Sequence, residues 1–139
     1  MMRFCKQSHR FYYGVDLQAP YELPVHRMDS HGGWIATPSD LLQFLMRVDS
    51  FTNPMDILQA GTVTAMTAPS AANPGYARGW AVNTAGTRWH NGTLAGTQSI
   101  LVRTANQHEW AAVCNTGNPA NQQLGLDLDA LMWQVDSVV

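Results

Sequence analysis

The residues best suited to chemistry lie between Thr87 and Thr104, in the stretch TRWHNGTLAGTQSILVRT. It reads as a strand ending in Trp89-His90-Asn91-Gly92, a glycine-punctuated crossover through Leu94, Ala95 and Gly96, and a returning strand from Gln98 to Thr104. An imidazole, a small polar side chain and a glycine in succession at a strand end can line a cleft with side chain and backbone together. Gly92 matters because, lacking a Cβ, it lets the backbone approach a ligand closely. The plainer reading is a hairpin whose His90 and Asn91 satisfy the turn. The candidate cleft residues are His90, Asn91, Gly92, Thr93 and Gly96, and none of them is a nucleophile with an adjacent base.

Other chemistries find little support. Cys5 and Cys114 stand far apart, with no C-x-x-C between them, so neither a zinc site nor a disulfide framework is indicated. Cys114 closes the apolar run from Trp110 and is expected to be a small buried hydrophobe. The five histidines include no pair at metal-ligand spacing on one element; no metal and no cofactor is expected. A net charge of −2 provides no field for nucleic acid or an anionic membrane. No apolar run approaches the roughly 18 residues of a membrane span, and the start, MMRFCKQSHR, is not followed by the apolar core of a secretory signal. The default expectation is a cytoplasmic location. The charged fraction of 13% is about half that of an average soluble domain. The surface must therefore be covered by uncharged polar residues or partly hidden in a partner.

The elements that would position the cleft can be read in order. At 139 residues the chain is expected to form a single domain. Residues 1–30 read as an extended arm, with strand-like content from Arg10 to Val15 and a proline-restrained stretch from Ala19 to Pro24. Residues 31–70 read as helical. Met28 to Trp34 turns into a helix from Pro38 to about Val48, which has Thr37 as N-cap, Pro38 at its first position and Asp40 completing a capping-box pattern. A second, weaker helix is predicted from Gly61 to Thr67. Residues 76–116 read as an antiparallel sheet, with strands over Ala77–Thr84, Thr87–His90, Gln98–Thr104 and Glu109–Thr116. Their connections are short enough to force a four-stranded meander. A helix within 120–138 closes the chain, with Leu128, Leu131, Met132, Val135 and Val138 on one face. The fold class is α+β, a sheet with helices before it and a C-terminal helix packed on it.

Taken together, MDSHGGWIATPSDLLQFL, Tyr76-Ala77-Arg78-Gly79-Trp80-Ala81-Val82, the segment from Trp89 to Thr97, and Cys114-Asn115-Thr116 resemble the C-terminal part of serine β-lactamase-like proteins. The similarity is closest to the class C β-lactamase and esterase branch, which shares its fold with penicillin-binding proteins, and it runs from about Met28 to the end. The resemblance implies a partial β-lactamase/transpeptidase-like fold. It places His90-Asn91-Gly92 at the family's third motif, the K-T-G or H-x-G element bordering the active site. His90 and Asn91 would then touch substrate or catalytic hydroxyls, with the backbone beside Gly92 to Gly96 forming the wall. Gly32-Gly33, Trp34, Asp40 and Leu41 would be structural. Members of the parent family are often exported.

The departures from the family are as informative. A serine nucleophile needs a positioned base, yet no S-x-x-K occurs: the only lysine is Lys6, and Arg3 stands three places before it. No Y-x-N, S-x-N or G-x-S-x-G occurs either. Asp29, Ser30 and His31 adjoin in sequence, but neighbours along a turn rarely converge as a triad. Two expectations follow. The first is a non-catalytic β-lactamase-like C-terminal domain, a self-associating or ligand-binding module for a small molecule. The alternative is a component of a serine hydrolase whose nucleophile comes from another chain or from an unconventional residue. Without the family's N-terminal strands, the strand from Glu109 would have an open edge. The expected cover is the Arg10–Val15 segment, within the chain or exchanged in a homodimer.

Overall fold

The computed structural model describes residues 3–4, 28, 32–94, 96–115 and 123–136. Its element order is β1 (Arg3–Phe4), β2 (Trp34–Ile35), α1 (Pro38–Leu45), α2 (Ala60–Thr67), β3 (Ala81–Val82), β4 (Arg88–Leu94), β5 (Thr97–Arg103), β6 (Glu109–Cys114) and α3 (Gln123–Asp136). Strands β3 to β6 form one antiparallel meander in chain order, and β1 pairs with β2 in a separate ribbon. The fold is α+β, as the sequence indicates. The Arg10–Val15 segment lies outside the described residues, and so does Asp29-Ser30-His31.

Helix α1 begins as its sequence dictates. The Thr37 side chain accepts from the Asp40 amide at 3.1 Å, and the Asp40 carboxylate accepts from the Thr37 amide at 3.0 Å. Each side chain thus satisfies an amide the helix cannot. These bonds, from the Thr37 backbone first and its hydroxyl second, hold the Asp40 carboxyl below its ordinary value. Thr37→Ala is expected to cost about 1 kcal/mol in urea unfolding, while the neighbouring exposed Ser39→Ala should leave the midpoint almost unmoved. The helix ends at Leu45, before the expected Val48, because the Arg47 and Val48 amides bond three residues back to Phe44 and Leu45. That tightened turn carries Val48 into the core and leads into the loop Asp49-Ser50-Phe51.

The sheet has an apolar layer on each face. On one, Leu45 and Val48 pack with Trp80, Val82 and Leu101, flanked by Leu41, Met66 and Ala111. On the other, Ile100, Val102 and Trp110 pack with Trp89, Ala112 and Met132 of α3. Strand alternation explains the division: Leu101 and Ala111 face α1, whereas Ile100, Val102, Trp110 and Ala112 face α3.

Three local expectations need correction. Strand β3 is confined to Ala81–Val82, because 76–80 fold into a tight turn in which Gly79 has φ +81°. Helix α3 meets the sheet through Met132 and through Trp133, which sits edge-to-face on Trp110 with ring centroids 5.0 Å apart. Leu131 and Val135, expected on the packed face, are exposed. Cys114 is half-buried, at the end of edge strand β6.

Candidate functional site

His90, Asn91, Gly92 and Thr93 are all residues of β4, paired with Leu101, Ile100, Ser99 and Gln98. The Gly92–Gly96 crossover read from the sequence is therefore shorter. The strand continues to Leu94, opposite Thr97, and only two residues separate them. Gly96, with φ +76°, supplies the left-handed conformation such a turn needs. Asn and Gly are disfavoured in strands on average. Here cross-strand pairing with β5 overrides that preference.

Strand β3 pairs with β4 only at Arg88 and Trp89. Among the described residues nothing pairs with the same edge from His90 to Leu94. The Asn83 amide donates to the Thr87 carbonyl at 3.2 Å, which fixes the phase of the ladder. By alternation the main-chain groups of Trp89 point to β3, those of His90, Gly92 and Leu94 point to β5, and those of Asn91 and Thr93 point outward. Asn91 and Thr93 are exposed. Among the described residues the cleft candidates of β4 thus lie on a strand edge without a partner strand.

Tyr76 stands over this edge, its hydroxyl 2.9 Å from His90 Nε2, with the rings edge-on at 71°. His90 Nδ1 lies 2.7 Å from the Asn91 carbonyl. A carbonyl can only accept, so Nδ1 carries the proton. In the neutral imidazole, Nε2 is then the acceptor and the Tyr76 hydroxyl the donor. The tyrosine is well anchored. Its amide donates to the Asn73 carbonyl and its own carbonyl accepts from Ser70, both at 3.2 Å. Two residues on, Arg78 ties the turn to the end of α2 through its amide to the Met66 carbonyl and its guanidinium to the Ala65 carbonyl.

Gly92 lies close against β5. A Cβ there would lie 2.7 Å from Ser99 Oγ, so the serine hydroxyl occupies the space a side chain would fill. Gly32, expected to be structural, backs the far end of the strand. It has φ +76°, and a Cβ on it would lie 3.7 Å from Leu94.

A second polar cluster, which sequence reasoning missed, sits at the opposite end of the α1-facing side. Asp49, only 2% exposed, accepts from the Phe51 amide at 2.5 Å. Asp56 accepts from the Asp49 and Ser50 amides at 3.2 and 3.1 Å, holding Ser50 at φ +73°. Arg88 reaches the Asp49 carbonyl and the Ser50 hydroxyl, and the Arg103 guanidinium covers the Phe51 ring at 4.2 Å. Glu109 completes the group. Burial first, then the charge of Asp49 and a hydrogen bond to it, push its carboxyl up to about 7, against the pull of Arg103.

Tyr76 and Ser99 were likewise not singled out from the sequence, because each meets its partner only through the folded turn and the β4–β5 register. The available signal was an inward-facing serine opposite a glycine. Among the described residues no group of three or more His, Cys, Asp or Glu could hold a metal ion, and no helix is long and apolar enough to cross a membrane. Comparison of the chain with family models, curated proteins and solved structures finds no match.

Proposed function

We propose that the chain is a β-lactamase-like ligand-binding module without a nucleophile of its own, and that its ligand lies along β4 from His90 to Thr93. One observation carries the reading: the Tyr76–His90 pair at 2.9 Å stands beside a strand edge with which no described residue pairs. A ligand amide or carboxyl could exchange main-chain hydrogen bonds with Asn91 and Thr93, in the manner of strand addition, while the phenol and imidazole read its polar end. Gly92 keeps the strand surface low beside them. The edge of β6, with which no described strand pairs, is the surface through which such a module would self-associate.

A second reading is favoured by the orientation of the imidazole. With Nδ1–H committed to Asn91, Nε2 is a base already engaged with a hydroxyl, the arrangement general-base catalysis uses. In that reading the chain is one component of a serine hydrolase, and another chain supplies the nucleophile.

Incubation with a penicillin, a cephalosporin and an activated ester, read by intact mass and by backbone amide shifts, tests both readings. The expected result is an unmodified mass, with shifts confined to Tyr76 and His90–Thr93 that disappear in His90→Ala. A stoichiometric adduct on one residue would replace the module reading with an enzyme acting alone. Absence of any shift with all three probes would remove the β-lactamase-like ligand class.

A further inference from the structure

We infer that the polar end of the ligand is an uncharged carboxamide held between the Tyr76 phenol and the Ser99 hydroxyl, which makes Ser99 a further binding residue of the site. The inference rests on the reading that a ligand lies along β4, and it adds the chemistry of the group recognised there.

Ser99 belongs to the site by register. His90 and Gly92 are alternate residues of β4 and share a sheet face, with Leu101 and Ser99 of β5 opposite them. Ser99 Oγ stands 2.7 Å from where a Gly92 Cβ would be, so it fills the place of the missing side chain. It is therefore one side-chain position along the face from the imidazole, about 7 Å by the rise of a strand. Ser99 is half-buried, and among the described residues no hydrogen bond engages its hydroxyl. Tyr76 and His90 are exposed. A phenol, an imidazole and a hydroxyl thus stand in a row on one face.

The hydrogen bonds already made decide what these groups can offer. The imidazole commits its Nδ1 proton to the Asn91 carbonyl and its Nε2 lone pair to the Tyr76 hydroxyl. In that neutral state the ring has nothing left for a ligand. The phenol, with its proton directed to Nε2, can only accept a further bond, whereas the serine hydroxyl can donate. A carboxamide matches both: its N–H donates to the Tyr76 oxygen and its carbonyl accepts from Ser99. A carboxylate has acceptors alone. One of its oxygens would meet the phenol lone pairs, or would pull the phenol off the imidazole. The neighbouring guanidinium groups are directed elsewhere. Arg88, two residues before His90 on the same face, reaches the Asp49 carbonyl and the Ser50 hydroxyl, and Arg78 reaches the Ala65 carbonyl.

The test compares N-acetyl-valyl-valinamide with N-acetyl-valyl-valine, which differ only in the terminal group and offer the same main chain to Asn91 and Thr93. Affinities are read from backbone amide shifts of the full chain at about pH 8.5, with the neutral state of the His90 ring checked by its nitrogen shifts. The amide is expected to bind at least about tenfold more tightly than the acid. In Ser99→Ala the amide probe should weaken at least about fivefold, while the His90 ring shifts stay as in the parent because the bond to Tyr76 is kept. Equal affinities, tighter binding of the acid, or an unchanged amide affinity in Ser99→Ala would overturn the inference and leave the β4 reading in place. If neither probe moves the β4 amides, the reading of a ligand along that strand fails and the inference falls with it. Should Ser99→Ala not fold, the comparison of the two probes on the parent protein decides alone.

Discussion

Asp49→Ala is expected to lower unfolding free energy by about 2–4 kcal/mol at mildly acidic pH, a large share of the roughly 5–15 kcal/mol that holds a domain together. The reason is what the carboxylate leaves behind. The Phe51 amide loses its acceptor, and half-buried Arg88 and Arg103 lose a neighbouring negative charge. Asp49→Asn keeps a carbonyl oxygen for Phe51 and should cost roughly half as much. Both variants should change the pH behaviour as well. Without the charge of Asp49, Glu109 is raised only by burial and by Asp56, against the pull of Arg103, so its midpoint should fall toward the ordinary range. Urea unfolding at several pH values measures both effects. Equal losses for Asn and Ala would mean that charge, and not the Asx-type bond to Phe51, is what the loop depends on.

The same cluster shows where sequence reading stops. The α+β order was legible because it rests on local signals: Thr37-Pro38-Ser39-Asp40 carries the whole N-terminal chemistry of α1, and short links between alternating segments permit only antiparallel neighbours. His90 and Asn91 were legible as cleft candidates because polar residues beside a glycine stand out within a strand pattern. Their actual setting was not. Asn91 and Gly92 read as the end of a strand leading into a crossover, and the strand runs on through Thr93 and Leu94 only through pairing with Gln98 and Thr97. Tyr76 meets His90 across a turn held by Arg78 on α2. Asp49 and Glu109 meet across 60 residues of chain, and no local pattern marks either. In a chain with so few charges, five of them converging on one sheet end is a property of the tertiary fold alone.

The two ends of the sheet face are joined through the apolar layer between them, and this makes Leu45→Ala the most consequential core substitution. Leu45 is 1% exposed and packs with Val48, Trp80, Val82 and Leu101. Truncation removes buried methyl groups and leaves a cavity whose walls are a helix and a sheet, neither able to collapse fully. The expected loss is about 2–5 kcal/mol, whereas Leu45→Met, which conserves volume, should cost less than about 1.5 kcal/mol. The effect should reach both sites. Val48 immediately precedes Asp49, and Trp80 closes the turn that presents Tyr76 to His90. In Leu45→Ala, amide exchange should therefore rise in 47–51 and in 76–80 together, while Met132 and Trp110 on the other face keep their protection. Urea unfolding and residue-resolved exchange check the two parts separately. Faster exchange around Asp49 with the Tyr76 turn unchanged would show that the two polar sites are energetically independent, with α2 and the Arg78 bonds sufficient to hold the Tyr76–His90 pair.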